Sequence, residues 1–501
     1  MKRQFFFSCL LDCMVLIFSV PVHIKAQKKP MNIIFILSDD HRYDFMGFMN
    51  AVPGLETPGM DKMAKEGAHI KNAFVTTALC SPSRASILTG QYAHTHTVVD
   101  NSAPLPNNLT FFPQYMQKKG YKTAFMGKWH MGNTGDNQQP GFDHWVSFEG
   151  QGQYFGNTLN VDGKREKMAA DNYITDELTT KAINWMNGVK DKPFFMYLSH
   201  KGVHAEFMPA KRHQGKYKNL PIMSPQSMYL TVTDSSKQYG VVTPPNTTVN
   251  YRDIPQWVRA QRYSWHGVDY MYHGQIPFDE FYHLYLETLL AVDESIQSVL
   301  KWVEDNGLKE NTIVVYMGDN GFLFGEHGLI DKRNAYEESM KVPMVIWAPG
   351  MIKANSVIPQ MILNIDLAPT FLEMAGVTKP AQMQGQSFLP LLKGENTAWR
   401  DKIFYEYYWE QAFPQTPTTF AVRTDKYKYI AYNGVWDINE LFDLENDPYE
   451  MNNLIRNKEM DKIGLQLRDE LNTWLEKTNG LQIPLKKQQG RKIDNLYRTT
   501  Y

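Results

Sequence analysis

Four strand-like, largely apolar runs in this chain stop at polar or acidic residues, and that recurrence limits the folds open to it. Residues 31–37 lead into Ser38-Asp39-Asp40, and 121–126 lead into Gly127-Lys128-Trp129-His130. Residues 193–198 lead into Ser199-His200, and 311–317 into Gly318-Asp319-Asn320-Gly321. None alternates apolar with polar, so each reads as a strand buried on both faces, as in a parallel sheet. Helical spacing fills much of the intervening chain. It covers 57–67, with Met60, Met63 and Ala64 apolar, then 111–120 and 181–189. It returns over 281–306, with Leu284, Leu286, Leu290, Val292 and Ile296, and again from Asp366. Strands alternating with helices predict an α/β fold, whose sheet places its site beyond the carboxyl ends of the strands. The acids there have three readings: a solvated turn, a helix N-cap, or oxygen ligands for a hard cation such as Ca²⁺ or Mg²⁺.

A second feature sits between the first two runs, where Leu79-Cys80-Ser81-Pro82-Ser83-Arg84-Ala85-Ser86-Ile87-Leu88-Thr89-Gly90 reads as a short helix ended by glycine. Pro82 suits its first helical position. Cys80 then lies at the helix N-terminus, where free N–H groups and the dipole favour an anion. The cysteine count sharpens this. Lys2 and Arg3, the apolar run 5–20 and Ala26 resemble an export signal over 1–26, which would remove Cys9 and Cys13. Cys80 is then the one cysteine of the mature chain. Exported proteins use cysteines in pairs, so a single thiol must be buried or converted into something else.

The spacing Cys-x-Pro-x-Arg followed by Leu-Thr-Gly resembles the signature of type I sulfatases, and Gly127-Lys128-Trp129-His130 resembles the second signature of that family. The resemblance covers essentially the whole mature chain. It implies an alkaline-phosphatase-like large mixed sheet flanked by helices, with a smaller C-terminal subdomain. It implies that Cys80 is oxidised to formylglycine (3-oxoalanine) by a formylglycine-generating enzyme, and that the hydrated aldehyde attacks the sulfur of a sulfate ester. Asp39, Asp40, Asp319 and Asn320, together with residue 80, would hold Ca²⁺. Arg84, Lys128 and Lys332 would neutralise the sulfate, with Arg84 also fixing the hydrate, and His130 would hydrogen-bond its hydroxyl. His204, within Lys201-Gly202-Val203-His204, would contact substrate and protonate the departing oxygen; His200 and Lys201 are nearby alternatives. The Cys80 stretch and His96-Thr97-Val98-Val99-Asp100-Asn101 are similar to N-acetylglucosamine-6-sulfatases. A sulfated oligosaccharide of heparan, keratan or mucin type is the substrate this implies. A phosphatase or phosphonate hydrolase of the same fold, and a glycan-binding protein with an inactive site, are the rival readings.

The remaining sequence sets the organisation. Residues 205–280 break the alternation and are rich in aromatic and histidine side chains, among them Trp257, Trp265, His266, Tyr270 and His273. They read as an insertion near the site mouth. From about 395 the pattern changes to short strand-like runs at 403–409, 419–424, 427–432 and 440–443, then an amphipathic helix over 458–476 and a basic tail after 485. This predicts an antiparallel sheet with a helix. The expected domains are a catalytic unit over 27–390 and a C-terminal subdomain over 391–501. With 52 basic and 53 acidic side chains among 501 residues, nothing in the charge favours nucleic acid. No run beyond the leader is apolar for long enough to anchor in a membrane. The expected location is outside the cytoplasm, most simply the periplasm.

Overall fold

The computed structural model describes residues 30–132, 135–230, 251–262, 264, 266–269 and 276–484. The leader at 1–26, Trp265, Tyr270, His273 and the tail after 485 therefore lie outside the described residues.

A ten-stranded mixed sheet carries the fold. Its strands are β1 (Asn32–Ser38), β2 (Ala68–Phe74), β3 (Lys122–Lys128), β4 (His144–Phe148), β5 (Thr158–Val161), β6 (Lys164–Lys167), β7 (Phe194–Ser199), β8 (Thr312–Gly318), β9 (Met344–Trp347) and β10 (Ser356–Leu363). Across the sheet they run β10-β2-β9-β8-β1-β7-β3-β4-β5-β6. At the centre β8, β1, β7 and β3 are mutually parallel, so their carboxyl ends meet along one edge. β9 runs antiparallel between β2 and β8, and β5 and β6 add an antiparallel hairpin at the far side.

The lack of alternation in β1 follows from burial on both faces. Ile33, Phe35 and Leu37 join one apolar core, while Ile34 and Ile36 join the other. Each such side chain contributes about 1.5–3 kcal/mol by leaving water. Helices cover the two faces: α1 (Pro58–Glu66), α2 (Cys80–Thr89), α3 (Phe112–Lys118), α4 (Ile174–Val189), α5 (Phe278–Asp305) and α6 (Leu367–Met374). α2 starts at Cys80, so Pro82 is its third residue rather than its first. Proline is tolerated there because the N–H groups of a first helical turn have no partner within the helix. Gly90 ends α2 at φ 67°, a left-handed conformation that suits glycine.

Beyond the large sheet lies a four-stranded antiparallel sheet of β11 (Lys402–Tyr407), β12 (Thr418–Thr424), β13 (Tyr427–Asn433) and β14 (Glu440–Asp443). α7 (Asp461–Thr478) packs on it, with Trp474 stacked on Phe404 at 4.7 Å. Among the described residues no helix is long and apolar enough to cross a membrane.

Candidate active site

The parallel strand ends place the polar residues of the sequence signatures in one buried cluster. Asp39 and Asp40 follow β1, Lys128 closes β3, His200 follows β7, and Asp319 and Asn320 follow β8. α2 points its first residue at this edge. The Cys80 thiol lies 3.4 Å from Asp39 Oδ1, and Lys128 Nζ lies 3.8 Å from Cys80 Sγ. Lys128 pairs with Asp39, and Lys332 pairs with Asp40. Arg84, one turn along α2 from Cys80, donates Nε and Nη2 to Asp319 Oδ2 at 3.0 and 2.7 Å. Its Nη1 reaches Lys128 O at 2.7 Å and Ser199 Oγ at 2.6 Å. One guanidinium thus ties together the ends of β3, β7 and β8.

The two histidines arrive differently. His130 follows β3 in a left-handed conformation (φ 50°), its carbonyl accepts the Ser81 hydroxyl, and its buried Nδ1 has no hydrogen-bond partner. His204 contacts Ala205 O through Nδ1, and its Nε2 lies 3.9 Å from Asp40 Oδ2. His200 does not share this arrangement. Its Nε2 lies 3.0 Å from Ser295 Oγ on α5, so as an alternative to His204 it is turned toward the helix layer.

The carboxyl groups of this cluster are strongly shifted by burial, by one another and by the cations around them. Burial would push the Asp39 carboxyl up, but Lys128, His204 and Arg84 hold it well below the usual carboxylate range. Burial raises Asp40 against the pull of Lys332, with Asp39 and Asp319 adding repulsion. Burial and Asp39 raise Asp319 against Arg84. Ligand atoms of Asp39, Asp40 and Asp319 all lie within 4.8 Å of one another. Asp40 Oδ2 and Asn320 Oδ1 are buried without hydrogen-bond partners, while Asn320 Nδ2 donates to Asp40 Oδ1 at 2.7 Å. Three carboxylates and an amide oxygen, two of these oxygens orphaned, suit a hard oxygen-seeking cation rather than a soft one. Burial, with Asp39 beside it, pushes the Cys80 thiol far up. An unmodified Cys80 is therefore a protonated thiol, inert at neutral pH.

The match to known families decides the class. Residues 31–377 match the sulfatase family, and 325–477 match the C-terminal region of N-sulphoglucosamine sulphohydrolases. The chain belongs to the sulfatase family. This sulfatase is 34% identical over 481 residues to an N-acetylglucosamine-6-O-sulfatase of Bacteroides thetaiotaomicron, covering 87% of this chain and 85% of the relative. It is 30% identical over 421 residues to the Homo sapiens N-acetylglucosamine-6-sulfatase, covering 79% and 70%. A solved structure in complex with its substrate D-glucosamine-2-N,6-O-disulfate superposes with a TM-score of 0.77 at 32% identity, over 90% of this chain and 99% of that one.

Around the sulfatase pocket stand residues to which sequence reasoning gave no role, among them His266, noted only as part of the insertion near the site mouth. Arg333, beside Lys332, pairs with Asp331 and, at 2.8 Å, with Glu410 of the loop after β11. Its guanidinium lies 3.6 Å from the Phe413 ring centroid. His266, from the irregular 205–280 stretch, reaches Asp331 at 2.9 Å. The charges flanking Lys332 in Asp331-Lys332-Arg333 were the available signal. Glu410 and Phe413 gave none, since only the folded chain brings them here.

Proposed function

We propose that this sulfatase removes the 6-O-sulfate of N-acetylglucosamine or glucosamine units in glycosaminoglycan-type chains. In this reading it uses formylglycine made from Cys80 by a maturation enzyme, and Ca²⁺ held by Asp39, Asp40, Asp319, Asn320 and residue 80. The observation that carries the chemistry is the pair of orphaned buried oxygens, Asp40 Oδ2 and Asn320 Oδ1, in a carboxylate cluster facing Cys80. The substrate choice rests on similarity to the bacterial and human 6-sulfatases. Once present, the formylglycine supplies a nucleophile for sulfur and the calcium ion neutralises sulfate charge.

The chain's own residues supply the rest. Lys128 and Lys332 present ammonium groups to the sulfate oxygens, charges that are worth more in a dry site than in water. Arg84 holds the pocket wall rigid through Asp319, Ser199 and the Lys128 carbonyl, so the groups around residue 80 need no rearrangement as charge develops. His130 keeps its free Nδ1 available to a hydroxyl at position 80. His204 acts on the leaving oxygen. Burial and the nearby Lys128 hold its ring well below its usual range, so it is neutral at rest. A bound sulfate offsets that positive field, so Nε2, partly open to solvent, takes up a proton from water and passes it to the departing alkoxide. We read residues 1–26 as an export signal, 27–390 as the catalytic unit with 205–280 near its mouth, and 391–501 as the subdomain. The enzyme then works in the periplasm.

The test is sulfate release from N-acetylglucosamine-6-sulfate by protein made with the maturation enzyme, alongside the mass of the peptide containing residue 80. Release together with the aldehyde mass supports the reading. An aldehyde with turnover only of sugars sulfated elsewhere refutes the 6-O assignment, and an unmodified Cys80 in active protein refutes the nucleophile.

A further inference from the structure

Lys201 is a buried cation with no carboxylate partner among the described residues. It is only 5% exposed. The other two lysines of the pocket each hold a carboxylate, Lys128 on Asp39 and Lys332 on Asp40. Among the described residues, no carboxylate pairs with Lys201. Its ammonium instead lies 4.8 Å from the centroid of the Tyr154 ring. A ring face offsets only part of the cost of removing an ammonium from water.

Its position is fixed on both sides. His200 N–H donates to Leu37 O at 2.8 Å, Asp39 N–H to Gly202 O at 2.9 Å, and Val203 N–H to Asp39 O at 2.7 Å. Lys201 is therefore locked beside the backbone that carries Asp39. The Tyr154 hydroxyl donates to His204 O at 2.7 Å, so the ring under the ammonium also ties down the leaving-group histidine. Burial, then Lys128, lowers the ammonium to about 8, while Asp39, Asp40 and Cys80 act the other way. It thus feels the charges of the sulfate pocket without touching a counter-ion of its own.

We propose that the Lys201 ammonium binds an oxygen of the substrate's sulfate group. The proposal rests on the reading that this pocket takes a sulfate ester. Lys201 then completes, with Lys128 and Lys332, a set of three ammonium groups around the anion. It also differs from Lys128 and Lys332 in a useful way. Their charge is already engaged before substrate arrives, whereas that of Lys201 is free to form a charge-assisted hydrogen bond on binding.

The experiment measures inhibition and direct calorimetric binding of inorganic sulfate in the full, matured chain, for wild type, Lys201→Met and Lys201→Arg. The sulfate dissociation constant should rise at least about tenfold in Lys201→Met and recover partly in Lys201→Arg, since one lost charge-assisted contact has roughly that effect. Binding of the desulfated sugar should stay within about twofold, and thermal unfolding should confirm that both variants fold. Unchanged sulfate binding in a folded Lys201→Met overturns the proposal and leaves Lys201 as a packing partner of Tyr154. An equal loss for sulfate and desulfated sugar also overturns it, because it would reflect general damage to the pocket. If Lys201→Met does not fold, Lys201→Gln takes its place: a sulfate dissociation constant raised at least about tenfold supports the contact, and unchanged sulfate binding overturns it. Absence of 6-O-sulfate release by wild type would refute the substrate reading, while the calorimetric arm would still judge Lys201.

Discussion

Two of the buried charge clusters among the described residues are finished to different degrees. The first is the pocket at the carboxyl edge of the large sheet. The second lies where the segment before β9 meets the small sheet. In the second, Glu337 receives Arg423 through Nε and Nη2 at 3.0 and 3.1 Å and Lys428 at 2.9 Å. Glu450 is paired with Lys428 at 2.6 Å and accepts Glu337 N–H at 2.7 Å. Glu440 accepts the hydroxyls of Tyr336 and Tyr432. Each of these three carboxylates has a partner within the chain, although Glu450 Oε1 meets the Lys428 ammonium as an ion pair without a hydrogen bond, so the second cluster joins two sheets. In the pocket, Asp40 Oδ2 and Asn320 Oδ1 remain orphaned, and among the described residues no carboxylate pairs with Lys201. Buried polar groups left open in this way mark where a ligand completes the structure.

The largest effect expected from this difference is chemical. Cys80→Ala should lower sulfate ester turnover by at least about 10³-fold, the scale seen when a nucleophile is removed. Its unfolding temperature should change by only a few degrees, because the substitution removes a single buried sulfur atom. A large drop in unfolding temperature would mean that the pocket is as structural as the second cluster, and the contrast would fail.

The second cluster should respond the other way. Lys428 is fully buried between Glu337 and Glu450, and Lys428→Met leaves two carboxylates without their shared cation. A loss of about 3–5 kcal/mol in stability is expected from denaturant unfolding. The kcat/KM per folded molecule should remain unchanged. A fall in kcat/KM at unchanged stability would make this cluster part of the active site.

The same contrast explains what was legible in the sequence. Asp39, Asp40, Asp319 and Asn320 stood out because they follow apolar runs that read as interior strands, but spacing left their role open between turn, cap and metal ligand. The resemblance to the sulfatase signatures, not local geometry, implied the roles of these four and of Cys80 and Arg84. The β5–β6 hairpin was not seen, since Lys164-Arg165-Glu166-Lys167 is fully solvated and offers no apolar period. β10 was hidden by Pro359 within an edge strand, where a missing N–H is tolerated. Tyr154, Glu410 and Phe413 come near the pocket only through packing between distant segments. Their roles depend on tertiary distances that local spacing does not encode.

Calcium offers a more moderate effect that separates the clusters by mass action. At a concentration one hundred times its dissociation constant, Ca²⁺ should stabilise the wild type by about 2.7 kcal/mol. Asp319→Asn should lose most of that increment, whereas Glu440→Gln should keep it. Equal gains in both variants would place the ion outside the strand-end pocket.

The smallest effect is a pH slope, and it tests whether the second cluster is truly complete. Burial pushes Glu440 up to about 8, although the hydroxyls of Tyr432 and Tyr336 favour its charged form. Between the ordinary carboxylate range near 4.5 and about 8, the folded chain therefore keeps a proton that the unfolded chain has released. The folded state binds more protons there, so stability is greatest below that window, falls as pH rises through it, and levels off above about 8. One proton corresponds to at most about 1.4 kcal/mol per pH unit. Glu440→Gln removes the titration while keeping the side chain's shape. Its stability relative to wild type should climb from pH 5 to pH 8 and then stay constant, read as unfolding free energy at each pH. Any fixed cost of the amide facing two hydroxyls shifts all the points equally and leaves the slope intact. A pH-independent difference would show that Glu440 is ionised throughout and matched by its surroundings. The second cluster would then be more fully balanced than its burial suggests, and the contrast with the open pocket would become sharper.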